Sequence, residues 1–563
     1  MYQKLVGFVF LVVAVCSFWY FIHSNRREAN MLFVNGIVYT LDPENTVAQA
    51  IALRGNRIVA VGSTEELTKR YKADTVIDLQ GKTVMPGLID GHGHVLSEGS
   101  RLLTLDLDGT TSPEQIADSV STRTAEFGAG HWIIGRGWNQ NVWEKKDFPT
   151  HELLDKAAPE NPVVLWRVDG HAIWANQKVL DIAGVNAQTA DPPGGKIYRD
   201  AKGNPTGVLV DNAMDLIEKS MPELSADEIE KRLKLALNEC AQLGLTEVGD
   251  MGVDQQTINI YKKIIDEGEC PIRIYAAILG SDTWQHYLET GREIGYGNGL
   301  LTVRAVKLYM DGALGSRGAA LFDEYNDDPG NRGLTIMREG EIDTVCAEAI
   351  EHGFQVCIHA IGDRGNNIVL NEYEKALQNL PKDAPSPRWR IEHAQVLKES
   401  DIPRFEQLGI IPSMQPTHAT SDMYWAETRL GSDRLKGAYA WRAILQTGSI
   451  IVGGSDFPVE SPNPLWGIYA AITRSDKTGY PEEGWHPEQK MTRLEAVRAF
   501  TTWASYGEFQ ENYKGTIEPG KWADLTVLSK DIMEVPPSEI LDTQVEMTIV
   551  NGKVVYQKPI IAQ

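Results

Sequence analysis

Six side chains of the kinds that hold divalent metal ions stand far apart in this chain: His92 and His94, then Lys307, His359, His393 and Asp456. Each closes or just follows a short apolar run, and a (β/α)8 barrel carries its chemistry at the C-terminal ends of its strands. The first two lie in Asp90-Gly-His92-Gly-His94. Alternate residues of a strand share a face, so these imidazoles project together, and Gly91 and Gly93 are expected to let a cation approach the backbone. Lys307 sits in Val303-Arg-Ala-Val-Lys-Leu-Tyr, where an unpaired ammonium is costly. His359 ends Gln355-Val-Cys-Ile-His, His393 ends Trp389-Arg-Ile-Glu-His, and Asp456 follows Gly-Gly-Ser. Singly, each is more often a core or capping residue; jointly they predict a metal centre.

The elements that must position these residues are short strands alternating with helices. Candidate barrel strands cover residues 83–90, 245–250, 272–278, 303–309, 355–359, 388–393, 410–414 and 449–453, and helical patterns such as 227–241, 341–351 and 493–502 separate many of them. Metal ligands then come from strands one, four, five, six and eight. The 563 residues exceed the roughly 250 of a bare barrel. Residues 31–84 and 510–563 are rich in β-type runs and Asn-Gly turns, and are expected to pair into a small flanking β-sandwich. The barrel itself takes residues 85–98 and 223–509. Residues 99–222 are an insertion after the first strand, rooted at the catalytic face and read as a lid over the pocket. Trp138, Asp169 and His171 within it are its candidate substrate-binding residues. His131, His151, His286, His352, His418 and His486 have no comparable context.

With 54 basic against 77 acidic residues the formal charge is −23, which argues against nucleic acid and against a polybasic membrane surface. The five cysteines show no Cys-x-x-Cys spacing and no disulfide density, and Cys357 reads as a small core residue. Residues 5–22 are 18 uncharged, mostly apolar residues with Trp19 and Tyr20 near their end, which predicts an uncleaved signal anchor within a segment 1–30. The expectation is a membrane-tethered protein whose catalytic domain is extracytoplasmic.

Beyond the metal-type residues, the chain carries Pro86-Gly-Leu-Ile-Asp-Gly-His, Asp311-Gly-Ala-Leu-Gly-Ser-Arg317, His359-Ala-Ile-Gly-Asp-Arg364-Gly and Gly515-Thr-Ile-Glu-Pro-Gly-Lys-Trp-Ala-Asp524-Leu. With these motifs it resembles the amidohydrolase superfamily, most closely the amidohydrolase-3 branch of metal-dependent hydrolases, from about residue 31 onward. The resemblance implies a TIM barrel with a flanking β-sandwich and two divalent ions, zinc by ligand type, held by His92, His94, Lys307, His359, His393 and Asp456. It also implies that Lys307 is carboxylated to a carbamate bridging the metals, since an ammonium has no lone pair to offer. The implied reaction is hydrolysis of a C–N bond other than a peptide bond, in an N-acyl, N-formyl or cyclic amide, by a metal-bridging hydroxide. Asp456 would act as general base and then acid. Arg317 and Arg364 are candidates for binding a substrate carboxylate. A mononuclear deaminase, with His393 polarising the substrate, is the alternative, and a non-catalytic scaffold relative is a third reading. The expected partner is a small-molecule substrate, and a homodimer is compatible with all of this.

Overall fold

The computed structural model describes residues 26–381 and 384–559. Its centre is a sheet of parallel strands in the order β1 (Leu88–Gly93), β2 (Leu245–Val253), β3 (Arg273–Ile278), β4 (Leu301–Tyr309), β5 (Gln355–Ala360), β6 (Arg390–His393), β7 (Ile411–Met414) and β8 (Val452–Gly453). The ring is drawn shut where the Asp456 N–H donates to the His92 carbonyl at 2.7 Å and the His94 N–H donates to the Phe457 carbonyl at 2.8 Å. This is the expected (β/α)8 barrel, and its strands are buried on both faces, as β3 shows throughout its length. The helices between them are built conventionally. Ala226–Gln242, which leads into β2, starts from a Ser225/Glu228 capping box and buries Ile229, Leu233, Ala236, Leu237 and Cys240 as one stripe.

The sequence reading of residues 83–90 as one strand is corrected. Thr83–Pro86 pairs with Ile37–Tyr39 and Leu525–Leu528 in a flanking sheet, and only after Gly87 does the chain enter the barrel. At the break the Gly87 N–H donates to the Asp524 carbonyl at 2.9 Å, and a side chain there would collide with Thr246. That flanking sheet has six strands drawn from both chain ends, and a second sheet of four comes from residues 27–78. They share a core of Phe33, Ile51, Val84, Leu525, Val527 and Ile549. The motif ending in Asp524 clamps this unit to the barrel: Asp524 takes Arg273 of β3 on both oxygens at 2.6 and 3.0 Å, with Trp522 stacked 3.8 Å from the guanidinium.

The insertion after β1 has a six-stranded sheet of its own, running from Leu105–Asp106 to Pro205–Asp211. Among the described residues no helix is long and apolar enough to cross a membrane. That overturns the expectation of a membrane-tethered, extracytoplasmic catalytic domain; the segment on which it rested, residues 5–22, lies outside the described residues. The first strand, Arg27–Val34, begins inside the stretch assigned to the anchor.

Candidate metal centre

Alternation along the strands sends the site residues into the barrel. Met251, Tyr275, Ala277, Ala305 and Cys357 form a small cluster inside it. Lys307 and His359 lie two residues further along the same strands as Ala305 and Cys357, so they cap that cluster at the C-terminal end. His92 comes in from β1 and His393 from the end of β6, while His94 and Asp456 follow β1 and β8. His393 and Asp456 sit in the left-handed region, at φ 74° and 61°, a strained conformation that the surrounding barrel holds.

The imidazoles converge. Ring centroids are 5.4 Å apart for His92 and His94, 4.9 Å for His92 and His393, and 4.6 Å for His359 and His393. Ligand atoms of His92, His393 and Asp456 all lie within 4.8 Å of one another. Asp456 Oδ1 is 3.3 Å from His92 Nε2 and 3.1 Å from His94 Nε2. The chemistry of the first of these contacts is informative. His92 Nδ1 is 2.6 Å from Glu392 Oε2. A carboxylate only accepts, so Nδ1 carries the proton and Nε2 keeps its lone pair. Burial and the nearby Lys307 hold His92 below the ordinary imidazole range, which keeps that lone pair bare. Two lone pairs therefore face each other across 3.3 Å, an arrangement that a cation between them would relieve. His359 Nε2 and Lys307 Nζ are likewise buried without a hydrogen-bond partner. Burial drives Lys307 below the ordinary lysine range against the pull of Glu392 and Asp456, favouring the uncharged amine. Burial would raise Asp456, but the neighbouring imidazoles of His92, His94 and His393 hold it well below the carboxylate range. This donor set fits divalent metal.

A second layer holds the metal-type residues, and most of it was not legible in the sequence. Glu392, fully buried on β6, orients His92 and is itself gripped by Arg390 at 2.7 and 2.8 Å. Gln415 Oε1 accepts from His393 Nδ1 at 2.8 Å and leaves its Nε2 facing the site. Asp311, at the end of β4, accepts the backbone N–H groups of Ala320, Ile361 and Gly362 at 2.8–2.9 Å, which ties the loops after β4 and β5 together. Burial still pushes it up to about 7. His418, set aside in the sequence, stacks on His393 with centroids 5.8 Å apart, and its Nε2 lies 3.7 Å from Asp456 Oδ2.

The glycines of Asp90-Gly-His92-Gly-His94 serve a purpose other than the expected one. A Cβ on Gly91 would meet Val452, and one on Gly93 would meet the Phe457 ring, each within 2.3 Å. They let β1 and the end of β8 close on each other.

Above the ligands lies a cavity of about 960 Å³ that reaches the insertion. Of the residues expected to bind substrate, Asp169 and His171 line it. His171 Nδ1 bonds Asp211 Oδ1 at 2.8 Å, its ring lies 5.3 Å from that of His359, and the Asp211 carboxylate outweighs burial and holds its pKa above the ordinary value. Trp138 does not reach the cavity. It is fully buried in the core of the insertion against Trp143, Phe148 and Trp174, with Nε1 donating to the Leu165 carbonyl at 2.8 Å. Arg317 pairs with Asp327 at 2.9 Å and Arg364 lines a separate hollow beside Pro193 and Met310, so neither faces the metal-type residues. The arginines of the cavity wall are Arg101, Arg136 and Arg167, which the sequence reading did not single out.

A model of the amidohydrolase family matches residues 75–556, and one of a bacterial imidazolonepropionase-like composite domain matches residues 50–71. The putative amidohydrolase YtcJ of Bacillus subtilis is 33% identical over 536 residues, covering 93% of this chain and 98% of its own. An N-substituted formamide deformylase of Arthrobacter pascens is 28% identical over 550 residues, covering 94% and 98%. The crystal structure of a metal-dependent hydrolase from Pyrococcus horikoshii superposes with a TM-score of 0.72 at 26% identity, over 90% of this chain and 99% of that one.

Proposed function

The chain belongs to the amidohydrolase family, in its amidohydrolase-3 branch, and is a metal-dependent hydrolase; from that premise we propose that it cleaves a non-peptide C–N bond in a small N-acyl, N-formyl or cyclic amide. The observation that carries the reading is the pair of lone pairs at His92 Nε2 and Asp456 Oδ1, 3.3 Å apart beside His393. In this reading His92, His94, His359, His393 and Asp456 would hold two divalent ions, zinc by donor type, with Lys307 as a carbamate completing the donor set. The bound ions would supply Lewis acidity towards the scissile carbonyl and lower the pKa of coordinated water from about 15.7 towards about 7.

The chain's own residues do the rest. Asp456 turns Oδ1 towards His92 and His94, which leaves Oδ2 to take a proton during attack and return it to the departing nitrogen. The depressed pKa of Asp456 keeps it ready as a base before substrate arrives. Glu392 and Gln415 hold the protons of His92 and His393 on Nδ1, so that both Nε2 atoms remain donors to metal. The insertion roofs the cavity with Arg136, Asp169 and His171 and is proposed to exclude water as a lid.

The relative named as an N-substituted formamide deformylase supports a C–N substrate. A mononuclear site with His393 on the substrate is weighed against by geometry, because the His393 imidazole groups tightly with His92 and Asp456. The test is a panel of N-acyl amines, N-formyl amines and cyclic amides offered to zinc-loaded wild type and to Lys307→Ala. Turnover of at least one class, with both metal content and rate reduced in Lys307→Ala, is expected. Full metal content and near-normal rates in that variant would refute the carbamate bridge, and no turnover across the panel would refute the C–N assignment.

A further inference from the structure

The cavity wall is acidic well beyond what the metal-type residues need, with ten carboxylates facing five lysine and arginine side chains. Much of the excess is already answered: Asp169 pairs with Arg167, Asp211 with His171, Asp215 with Lys219, and Asp106 with Arg101. Asp422 and Glu460 stand in no ion pair, although His418 lies near enough to act on both and Lys477 on Glu460. Asp422 ends the helix Pro416–Asp422, and both of its hydrogen bonds, from Gln395 Nε2 at 2.9 Å and Tyr439 Oη at 2.6 Å, fall on Oδ2 and come from neutral groups. Glu460 follows β8, with the Ser421 side chain close by. Burial pushes Asp422 up to about 7 against the opposing pull of His418 and the Tyr439 hydrogen bond, and Glu460 adds to the rise. Burial raises Glu460 as well. The nearest guanidinium, Arg167, is taken up by Asp169, by Gln140 at 2.7 Å and by Asn139 at 2.9 Å.

A second and independent feature marks the same wall as ligand-facing. On the helix that ends in Asp422, Thr417 Oγ1 and His418 Nε2 have no hydrogen-bond partner, although their residues are only 9% and 8% exposed and both line the cavity. His418 and Asp422 are four residues apart in that helix, so their side chains share a face about 5–6 Å apart. Since His418 lies against Asp456, the acidic pair stands about one helical turn from the reacting centre. The same cavity is lined by the aromatic residues Tyr424, Trp425, Trp466 and Tyr469. Cations already use these faces: the exposed Lys477 places its ammonium 3.5 Å from the centre of the Trp466 ring, and the Arg429 guanidinium lies 5.6 Å from that of Trp425. Carboxylates held in no ion pair beside aromatic faces form the chemistry that recognises an alkylated or protonated amine.

We propose that Asp422 and Glu460, with Trp425 and Trp466 beside them, form a subsite for a cationic nitrogen carried by the substrate close to its scissile bond. The inference deepens the hydrolase reading and rests on it for the word substrate; the subsite itself can be tested without turnover. The probes are choline and its neutral isostere 3,3-dimethylbutanol, which differ in charge and little else, titrated by calorimetry into the intact zinc-loaded protein. Choline is expected to bind at least about tenfold more tightly. Glu460→Gln, which keeps the contact with Ser421, is expected to shrink that ratio to within about twofold. Lys477→Met, which frees the face of Trp466 and removes a competing charge, should widen it. Asp422→Asn serves as a second variant on the other carboxylate, with circular dichroism as the check on folding. Equal binding of the two probes, or a preference that survives both acid-to-amide substitutions in folded protein, would overturn the proposal. A choline preference in a protein that turns over no C–N compound would sink the functional reading and leave the subsite standing. Turnover of neutral amides with no choline preference would do the reverse.

Discussion

Glu392→Gln separates the two duties of a buried carboxylate that never touches metal. Glu392 and Arg390 are both fully buried, joined by hydrogen bonds of 2.7 and 2.8 Å, and the same carboxylate accepts a hydrogen bond from His92 Nδ1 at 2.6 Å. Burial alone would raise Glu392, but Arg390 and His92 hold it well below the ordinary carboxylate range, so it is charged at neutral pH. Glutamine keeps the shape and one acceptor, and leaves the Arg390 guanidinium buried without its counter-charge. Breaking a buried pair this way costs about 3–5 kcal/mol. The retained amide oxygen puts the expectation at the low end, about 3 kcal/mol. Separately, a neutral amide makes His92 a weaker donor and can misorient it, which should lower zinc affinity about 10- to 100-fold. Urea unfolding gives the first quantity and competition with a chelator the second. Adding Arg390→Met to Glu392→Gln removes the stranded charge, so stability should largely recover while zinc affinity stays low. Recovery of both quantities, or an unchanged zinc affinity in Glu392→Gln, would refute the assignment of Glu392 as the residue that positions His92.

Asp456→Asn should lower turnover by about 10²-fold or more while much of the metal stays, because the amide oxygen can still ligate but cannot take a proton. Retained activity with retained metal would move the proton transfer to another group, with His418 the nearest candidate by position. Glu495, which caps its helix and grips Arg442 at 2.6 and 2.9 Å, has its pKa lowered to about 2 by that arginine. A depressed folded-state pKa contributes stability above the unfolded value and loses it as pH falls. Glu495→Gln should therefore cost about 1–2 kcal/mol at pH 7, with allowance for the partial exposure of the pair. The gap between the proteins, followed by urea unfolding, should close as pH drops from about 4.5 towards about 2; a gap independent of pH would mean that the ion pair is not its source.

The barrel was legible because its strands are buried on both faces and end in residues that have no business in a core: Lys307 and Asp456 read as functional from sequence alone for that reason. The break at Gly87 was not, since nothing in the run from Thr83 to Asp90 says that Pro86 pairs with Leu525, a residue more than 400 positions away. The metal-type residues were visible as types at strand ends, whereas Glu392, Gln415 and His418 are ordinary polar residues whose importance exists only through what they touch. The signal that could have found Glu392 was its place directly before His393 on a buried strand beside Arg390. Trp138 shows the opposite error. An aromatic residue in a Gly-rich run looks like a binding residue, but an indole that can donate to the Leu165 carbonyl and pack against Trp143, Phe148 and Trp174 is a core residue. Arg317 and Arg364 came with motifs whose other members, Asp311 and Asp363, turn out to fasten loops by accepting backbone N–H groups.

The central claim is that His92, His94, Lys307, His359, His393 and Asp456 together make a two-metal hydrolytic centre. Its most direct test is to strip the protein with chelator, add zinc in known increments, and follow bound metal and amide hydrolysis in the same samples. Activity that is absent at zero zinc, rises with occupancy and saturates at two ions per chain is the predicted result, with His92→Asn failing to saturate. Full activity in the stripped protein, or saturation at a single ion, would contradict it.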